Sequence, residues 1–284
     1  MLDMPETAKR FVVGCVSYLN SKPLIDPLVD RPDVEVHFAV PARLMDLMAA
    51  RQVDAALMPI VDYQNCPVPV VLSPGGAICC DGPTLTVRIF SKVPLTKTRE
   101  LYADTDSHTS VILAQIILRE LYHCAPELIA ANMYQALPEA AETLLLIGDK
   151  VVNGAPPEAH YPYQMDLGEQ WKVLTGLPFV FAMWMLPADR VNVELAVLLA
   201  EARERGGEIT AHLVAKYAEE KRWPPELARR YFTEYLQYSV TPRCRLGIEK
   251  FFELSARHQL LQVHRAIQYM PIPSRNRSTF LIKP

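Results

Sequence analysis

Apolar positions in the first part of the chain follow two periods in turn, and this predicts an order of strands and helices. Residues 11–16 form an apolar run rich in β-branched side chains, and residues 34–40 alternate, so both are predicted strands. Residues 20–30 and 42–51 have apolar positions at helical spacing, and residues 54–58 read as a buried strand. This strand–helix–strand–helix–strand order predicts a parallel sheet with right-handed crossovers.

A second α/β section follows, and the pattern then changes to helices alone. A strand at residues 84–90 comes before the second section, which is predicted to contain strands at 101–103 and 143–147, helices at 109–122 and 169–174, and a strongly apolar strand at 179–186. Four helices are predicted after it, at residues 192–205, 208–221, 225–236 and 246–258, with Gly206-Gly207 and Pro224-Pro225 as breaks between them.

Two α/β sections joined by extended segments and closed by helices predict an α/β fold with two lobes and a ligand cleft between them. We expect residues 11–90 and 182–262 to form the first lobe. Residues 91–181 would form the second lobe, and residues 263–284 a tail, because little periodicity remains near the end of the chain.

Composition and charge narrow the class of protein. The chain has 284 residues, half of them hydrophobic, and a formal net charge of -3 with both signs mixed along its length. A nucleic-acid-binding protein usually has a basic domain or stripe, so we expect no nucleic-acid partner. No apolar run approaches the roughly 18 residues of a membrane span, so we expect no membrane partner either.

The cysteines and the first residues predict a cytoplasmic protein. Six cysteines are present, none in a C-x-x-C pair, which is typical neither of a zinc site nor of a dense disulfide framework. Reduced thiols in the cytoplasm are the simplest interpretation. The apolar stretch at residues 11–14, before Cys15, is shorter than the roughly 7–15 residues of a signal-peptide core.

Short polar side chains at two predicted strand–helix junctions are candidates for a binding site. Ser17 and Asn20 lie between the first strand and the first helix. Ser107, Thr109 and Ser110 lie where the helix of the second section begins. Such residues can hold an anion beside the free N–H groups of a helix start, or they can simply cap the helix. Two such junctions, one in each section, favour a cleft with an anion on each wall.

Four further residues are candidates with an equally ordinary structural alternative. Gly148 and Asp149 follow a predicted strand, and Asp149 can serve as a helix cap. Thr86 lies on a strand and points either to a cleft or to the core. His108 is the histidine we would test, because it lies within the second junction. No metal-binding spacing, phosphate loop or dinucleotide fingerprint is present, so we expect no metal and no nucleotide cofactor.

These residues also carry a family resemblance that extends from about residue 11 to residue 260. The chain resembles the chorismate dehydratases of the futalosine route to menaquinone. The resemblance rests on six segments: SYLNSKPL at 17–24, VDAALMPIVDY at 53–63, DGPTLTVRIFSK at 81–92, DTDSHTS at 104–110, IGD at 147–149 and DLGEQWKVLTGLPFVFAMW at 166–184. The last segment is long and specific.

The resemblance implies a periplasmic-binding-protein-like fold of type II, turned to catalysis in the cleft between its lobes. It implies a hydro-lyase that converts chorismate to 3-[(1-carboxyvinyl)oxy]benzoate and water with no cofactor. Asn20 would orient the reacting part of the substrate, with Ser17 beside it. The carboxylates would be held by hydroxyls, and other residues would line the cleft. These substrate-binding residues would be Thr86, Ser107, His108, Thr109, Ser110, Gly148 and Asp149.

The chain departs from the family pattern at a few positions. Thr86 stands where a serine is more usual, His108 where a basic residue is frequent, and Cys80 where Ser or Ala is common. No Glu or His lies in the first motif, so a carboxylate of the substrate acting as its own base is one hypothesis.

The main alternative function is that of a non-catalytic binding protein for a small aromatic or carboxylic acid. The later pathway enzyme that makes dihydroxynaphthoate and a transcription regulator's ligand domain fit the sequence less well.

Overall fold

The computed structural model describes residues 10–104, 108–132 and 141–270, and it contains two five-stranded sheets in those residues. The first sheet has the order β2-β1-β3-β10-β4. Strands β1, β2 and β3 are parallel, as predicted, and β10 runs antiparallel to both β3 and β4. The strands of the first sheet are β1 (Phe11–Cys15), β2 (Val34–Phe38), β3 (Ala55–Pro59), β4 (Val70–Cys80) and β10 (Phe179–Pro187).

The second sheet has the order β7-β6-β8-β5-β9 and is mixed as well. Strand β6 is parallel to β7 and β8, and β5 is antiparallel to β8 and β9. Its strands are β5 (Val87–Ser91), β6 (Glu100–Asp104), β7 (Glu127–Ala131), β8 (Thr143–Ile147) and β9 (Tyr163–Asp166). Strand β5 therefore pairs in the second sheet, although the expected division after residue 90 placed it in the first lobe. Strand β10 enters the first sheet at Phe179, three residues before the expected return at 182.

Ten α-helices cover the two sheets in the described residues. They are α1 (Lys22–Val29), α2 (Pro41–Ala49), α3 (Asp62–Asn65), α4 (His108–Tyr122), α5 (Asp149–Gly154), α6 (Leu167–Thr175), α7 (Val193–Glu208), α8 (Thr210–Tyr217), α9 (Pro225–Arg230) and α10 (Pro242–Arg257). A 3₁₀ turn, Leu19–Ser21, precedes α1, and a π-helical turn, Tyr231–Tyr235, follows α9. None of these helices is long and apolar enough to cross a membrane.

Strand β4 was not predicted, because its centre reads as a turn. Ser73, Pro74, Gly75 and Gly76 interrupt the apolar pattern, yet all eleven residues of the strand are buried. The strand pairs with β10 at one edge of the sheet, with two register shifts. A proline is tolerated at such an edge, where its missing N–H removes no ladder hydrogen bond.

Residues 263–270, the first part of the predicted tail, return to the first sheet. Met270 N donates to Leu72 O at 2.8 Å, and Leu72 N donates to Gln268 O at 2.9 Å, so this segment runs along β4. The Tyr63 hydroxyl donates to Ala266 O at 2.8 Å. Backbone pairing rather than apolar periodicity holds the segment, which is why the sequence pattern missed it. The rest of the predicted tail, residues 271–284, lies outside the described residues.

Helix α7 continues through the glycine pair that was predicted to end it. Gly206 lies against Pro23 at the start of α1, where an added Cβ would be 1.8 Å from the proline carbonyl oxygen. A Cβ at the next residue, Gly207, would meet no atom within 4 Å. The first glycine therefore serves a close approach of two helices rather than a break in one. This approach fixes α1 and the turn that precedes it.

Trp171, on α6, lies in the core. Its side chain is fully buried and packs edge-on against Phe179, with ring centroids 5.2 Å apart. Phe179 in turn packs edge-on against Phe251, at 5.3 Å. The Trp171 indole N–H donates to Pro178 O at 3.1 Å, so its polar group is satisfied. This cluster joins α6, β10 and α10 where the chain returns from the second sheet to the first.

Candidate functional site

A cleft lies between the two sheets, and both sheets contribute to its lining. Its empty space, including open solvent at the mouth, is about 680 Å³. Most of the lining is apolar, from residues such as Leu57, Ile78 and Phe181. The polar groups are few, and they come from the side chains of Tyr18, Asn20, Thr84, Thr86, Thr109, Ser110 and Tyr231 and from the backbone at Gly148.

Asn20 stands in the 3₁₀ turn between β1 and α1. The Ser21 hydroxyl oxygen lies 2.9 Å from Val16 O and 2.8 Å from Tyr18 O, and these contacts hold the turn. The Oδ1 atom of Asn20 is buried and has no hydrogen-bond partner among the described residues. An unpaired buried acceptor costs about 1–3 kcal/mol, so this oxygen is suited to a ligand that donates a hydrogen bond.

The start of α4 forms part of the opposite wall. Thr109 and Ser110 are buried and line the cleft. Thr109 Oγ1 accepts a hydrogen bond from Val61 N at 3.4 Å, which ties this helix start to the end of β3. The free N–H groups and positive dipole end of a 15-residue helix favour an anion here. Ser107, the third hydroxyl predicted for this wall, lies outside the described residues.

Three of the predicted site residues do not line the cleft. Ser17 is exposed and is not among its lining residues. Asp149 accepts a hydrogen bond from Trp223 Nε1 at 3.0 Å and so links α5 to the segment between α8 and α9. Burial raises the pKa of this carboxyl, although the indole hydrogen bond partly opposes the rise. His108 turns away from the cleft toward Asp62, and it lines a separate surface pocket.

The His108–Asp62 pair joins the two halves of the molecule behind the cleft wall. His108 Nδ1 lies 2.8 Å from Oδ1 of Asp62, which is fully buried. The hydrogen bond that His108 makes to the Asp62 carboxylate raises the pKa of His108 above its ordinary value. Burial also raises the pKa of Asp62, and its second oxygen has no partner in the described residues. The pair therefore retains a proton to higher pH than a free histidine would.

Removing the charge of Asp62 should lower the pKa of His108. A raised folded pKa means that the stabilisation is fully present below about pH 6.5, the unfolded value, and is lost as the pH rises through the folded pKa. Asp62→Asn removes the carboxylate that causes the rise. We expect NMR titration to show a lower pKa for His108 in the variant than in the wild type. Equal His108 pKa values in both proteins would contradict this assignment.

Tyr231 is a site residue that the sequence did not reveal. Its hydroxyl lies 2.6 Å from Thr86 Oγ1, and its ring stacks on Trp223 at 4.8 Å. Burial raises the pKa of the phenol, which therefore stays neutral, and the nearby Asn20 side chain partly opposes this rise. Tyr231 begins the π-helical turn after α9, far along the chain from the predicted motifs. No pattern singled it out, because an aromatic residue in a helical segment is usually core.

Asp166 is a second residue that sequence reasoning missed. It holds the backbone next to the cleft-lining residue Thr86. Its carboxylate accepts from the backbone N–H groups of Gly168 and Glu169, at 2.9 and 3.1 Å, as the N-cap of α6. It also accepts from Thr84 N at 3.0 Å and Leu85 N at 2.8 Å. Leu85 has a φ of 68°, so this carboxylate holds a strained backbone next to Thr86. The D-x-x-E spacing of a helix start was the available signal.

The arrangement offers hydrogen bonds without a formal charge. None of the residues that line the cleft, within the described chain, carries a carboxylate, an imidazole, an amine or a guanidinium. The described residues also contain no group of three His, Cys, Asp or Glu side chains that could hold a metal ion. Hydroxyls and a helix start can bind carboxylates, and the Asn20 oxygen can accept from a hydroxyl. The site is thus suited to a small apolar acid that also carries a hydroxyl group.

Comparisons with known proteins agree on the fold and on a family. Two solved structures share the fold at low sequence identity. A protein of Archaeoglobus fulgidus superposes with a TM-score of 0.66 at 13% identity, over 89% of this chain and 98% of that one. The periplasmic aliphatic sulphonate binding protein of Escherichia coli gives 0.61 at 12% identity, over 89% and 94%. The predicted periplasmic-binding-protein-like fold is confirmed.

Sequence comparison gives a more specific relationship. The chorismate dehydratase of Thermus thermophilus is 26% identical over 260 residues, which cover 86% of this chain and 95% of that protein. The sequence model of the menaquinone biosynthesis family matches residues 11–257, which is most of the chain. The chain therefore belongs to the menaquinone biosynthesis family.

Proposed function

We propose that this chain is a chorismate dehydratase, a carbon–oxygen hydro-lyase that converts chorismate to 3-[(1-carboxyvinyl)oxy]benzoate and water. The reaction would be the first step of menaquinone biosynthesis by the futalosine route. Membership of the family and the similarity to the Thermus thermophilus enzyme support the proposal. The observation that carries it is the unpaired Asn20 oxygen in a cleft otherwise lined by apolar groups and hydroxyls.

The polar groups of the cleft match those of chorismate in kind. Chorismate has two carboxylates, one ring hydroxyl and an apolar diene ring. In our proposal Thr109 and Ser110, at the start of α4, hold one carboxylate, and Thr86 donates to the other. Asn20 Oδ1 accepts from the ring hydroxyl that leaves. Each assignment pairs a donor with an acceptor, and no charged side chain is needed.

The proton acceptor is proposed to be a carboxylate of the substrate itself. The lining contains no carboxylate or imidazole side chain within the described residues. In the reaction the C–H bond beside the hydroxyl-bearing carbon breaks, its electrons form the new ring double bond, and the C–O bond releases the hydroxyl as water. The ring becomes aromatic, which supplies a large driving force. The protein then needs to orient the substrate and exclude water.

Two further parts of the proposal concern the lobes and the location. We place the reaction between two lobes built on the two sheets, and their closure would exclude water from the ring. The hydrogen bond from Val61 N to Thr109 Oγ1 and the hydrogen bond between the Thr86 and Tyr231 hydroxyls join the two sides of the cleft. We place the protein in the cytoplasm, which is consistent with the free cysteines of the described chain.

Complementation tests the activity together with its place in the pathway. The host is a bacterium that makes menaquinone by this route, requires it for growth and lacks its own chorismate dehydratase gene. We expect this chain to restore growth without supplement. Growth only when 3-[(1-carboxyvinyl)oxy]benzoate is supplied, with the soluble protein present in the cells, would contradict the proposed function.

A further inference from the structure

The Tyr231 hydroxyl sits between the two polar side chains to which the proposed function gives opposite tasks. Asn20 is to accept a hydrogen bond from the substrate, and Thr86 is to donate one. Both side chains can do either, because an amide carries a donor and an acceptor and a hydroxyl is both. Something must fix which atom each of them turns to the substrate. Tyr231 interacts with both of them: its hydroxyl lies 2.6 Å from Thr86 Oγ1, and the nearby Asn20 side chain partly opposes the rise in the pKa of its phenol.

The direction of hydrogen bonding along these three residues follows from the unpaired atom. Asn20 Oδ1 has no partner in the described residues, and Asn20 acts to lower the pKa of the Tyr231 phenol, as a donor does, so the amide nitrogen is the group that faces the phenol. The phenol oxygen thus accepts from Asn20, and its own hydrogen is left for Thr86 Oγ1 at 2.6 Å. Thr86 Oγ1 then accepts from the phenol, and its hydroxyl hydrogen is free to turn to a ligand.

We propose that Tyr231 is a positioning residue that fixes this polarity, so that Asn20 presents its oxygen and Thr86 presents its hydrogen to the substrate. The inference rests on the proposed function and adds a residue to it. The Tyr231 ring is fully buried against Trp223, so the hydroxyl has little freedom to choose other partners. Short buried chains of this kind stabilise one orientation of every member.

The test is a double-mutant cycle with Tyr231→Phe and Thr86→Val, measured as kcat/KM for chorismate. Phenylalanine keeps the stacked ring and removes only the hydroxyl. We expect Tyr231→Phe to lower kcat/KM roughly 10- to 100-fold, mainly through kcat. Because the tyrosine acts partly through Thr86, the double variant should lose less than the product of the two single losses. A purely structural role would instead lower the unfolding temperature and give multiplicative losses.

Tyr238→Phe is the matched control. The Tyr238 hydroxyl is buried without a partner in the described residues, and it does not line the cleft. Its removal should leave kcat/KM unchanged. The inference is overturned if Tyr231→Phe stays within about twofold of an active wild type, or if the two losses multiply. A wild type without turnover would overturn the proposed function, and the inference with it.

Discussion

Asn20→Ala is expected to lower kcat for chorismate by about 100-fold, because the substrate loses the hydrogen bond that orients its reacting hydroxyl. The Asn20 oxygen is the unpaired acceptor of the cleft, and in our account it accepts a hydrogen bond from the hydroxyl that leaves. Its loss leaves the carboxylate contacts at the start of α4 intact. We therefore expect KM to change much less than kcat, as measured by product formation at varied chorismate concentration.

The control for this variant is Gln52→Ala. Gln52 is an exposed amide in the connection between α2 and β3, and it does not line the cleft. Its kcat and KM should equal those of the wild type. Unfolding temperatures of both variants should stay close to the wild type, since Asn20→Ala removes a buried acceptor that has no hydrogen-bond partner in the described residues. A kcat for Asn20→Ala within about threefold of the wild type would show that Asn20 does not act at the reacting centre.

Gly206→Ala is expected to destabilise the protein by about 3 kcal/mol or more. The added Cβ would lie 1.8 Å from Pro23 O and 2.6 Å from Pro23 C, and both are backbone atoms that cannot rotate away. Helix α7 would have to move off α1, and α1 follows directly on the turn that carries Asn20. Chemical denaturation monitored by tryptophan fluorescence should show the lower stability, with a smaller yield of soluble protein.

Gly207→Ala makes the same chemical change one residue later and serves as the control. No atom lies within 4 Å of the added Cβ, and the residue is exposed on the same helix. Alanine is the better helix former, so this variant should be equal to the wild type or more stable by up to about 1 kcal/mol. Equal stability of the two variants would mean that α1 and α7 do not pack as closely as the structure shows.

The strands and helices that the sequence predicted each have apolar residues at one clear periodicity. The residues of strands β1 to β3 alternate between apolar and polar or are uniformly apolar, and α4 has a long helical pattern. Their predicted positions are therefore close to the observed ones. Strand β4 was missed because a Ser-Pro-Gly-Gly stretch resembles a turn, and only its pairing with β10 makes it a strand. The segment 263–270 was missed for a similar reason. Both depend on partners that are distant in sequence.

The site was predictable where it lies at a strand end followed by a helix. Asn20, Thr109, Ser110 and Gly148 were singled out in this way, and they meet at the cleft. His108 is next to Thr109 in sequence, but its side chain is hydrogen bonded to Asp62 and does not line the cleft. Tyr231 was beyond prediction, because its role depends on a hydroxyl brought to Thr86 across 145 positions of chain.

The most direct test of the central claim is to incubate the purified wild type with chorismate and identify the product by mass spectrometry and NMR. The account predicts time-dependent loss of one water and the proton spectrum of a benzoate substituted at position 3 by the enolpyruvyl ether. Chorismate recovered unchanged, whether bound or free, would contradict it. Binding without turnover would indicate a binding protein built on the same fold.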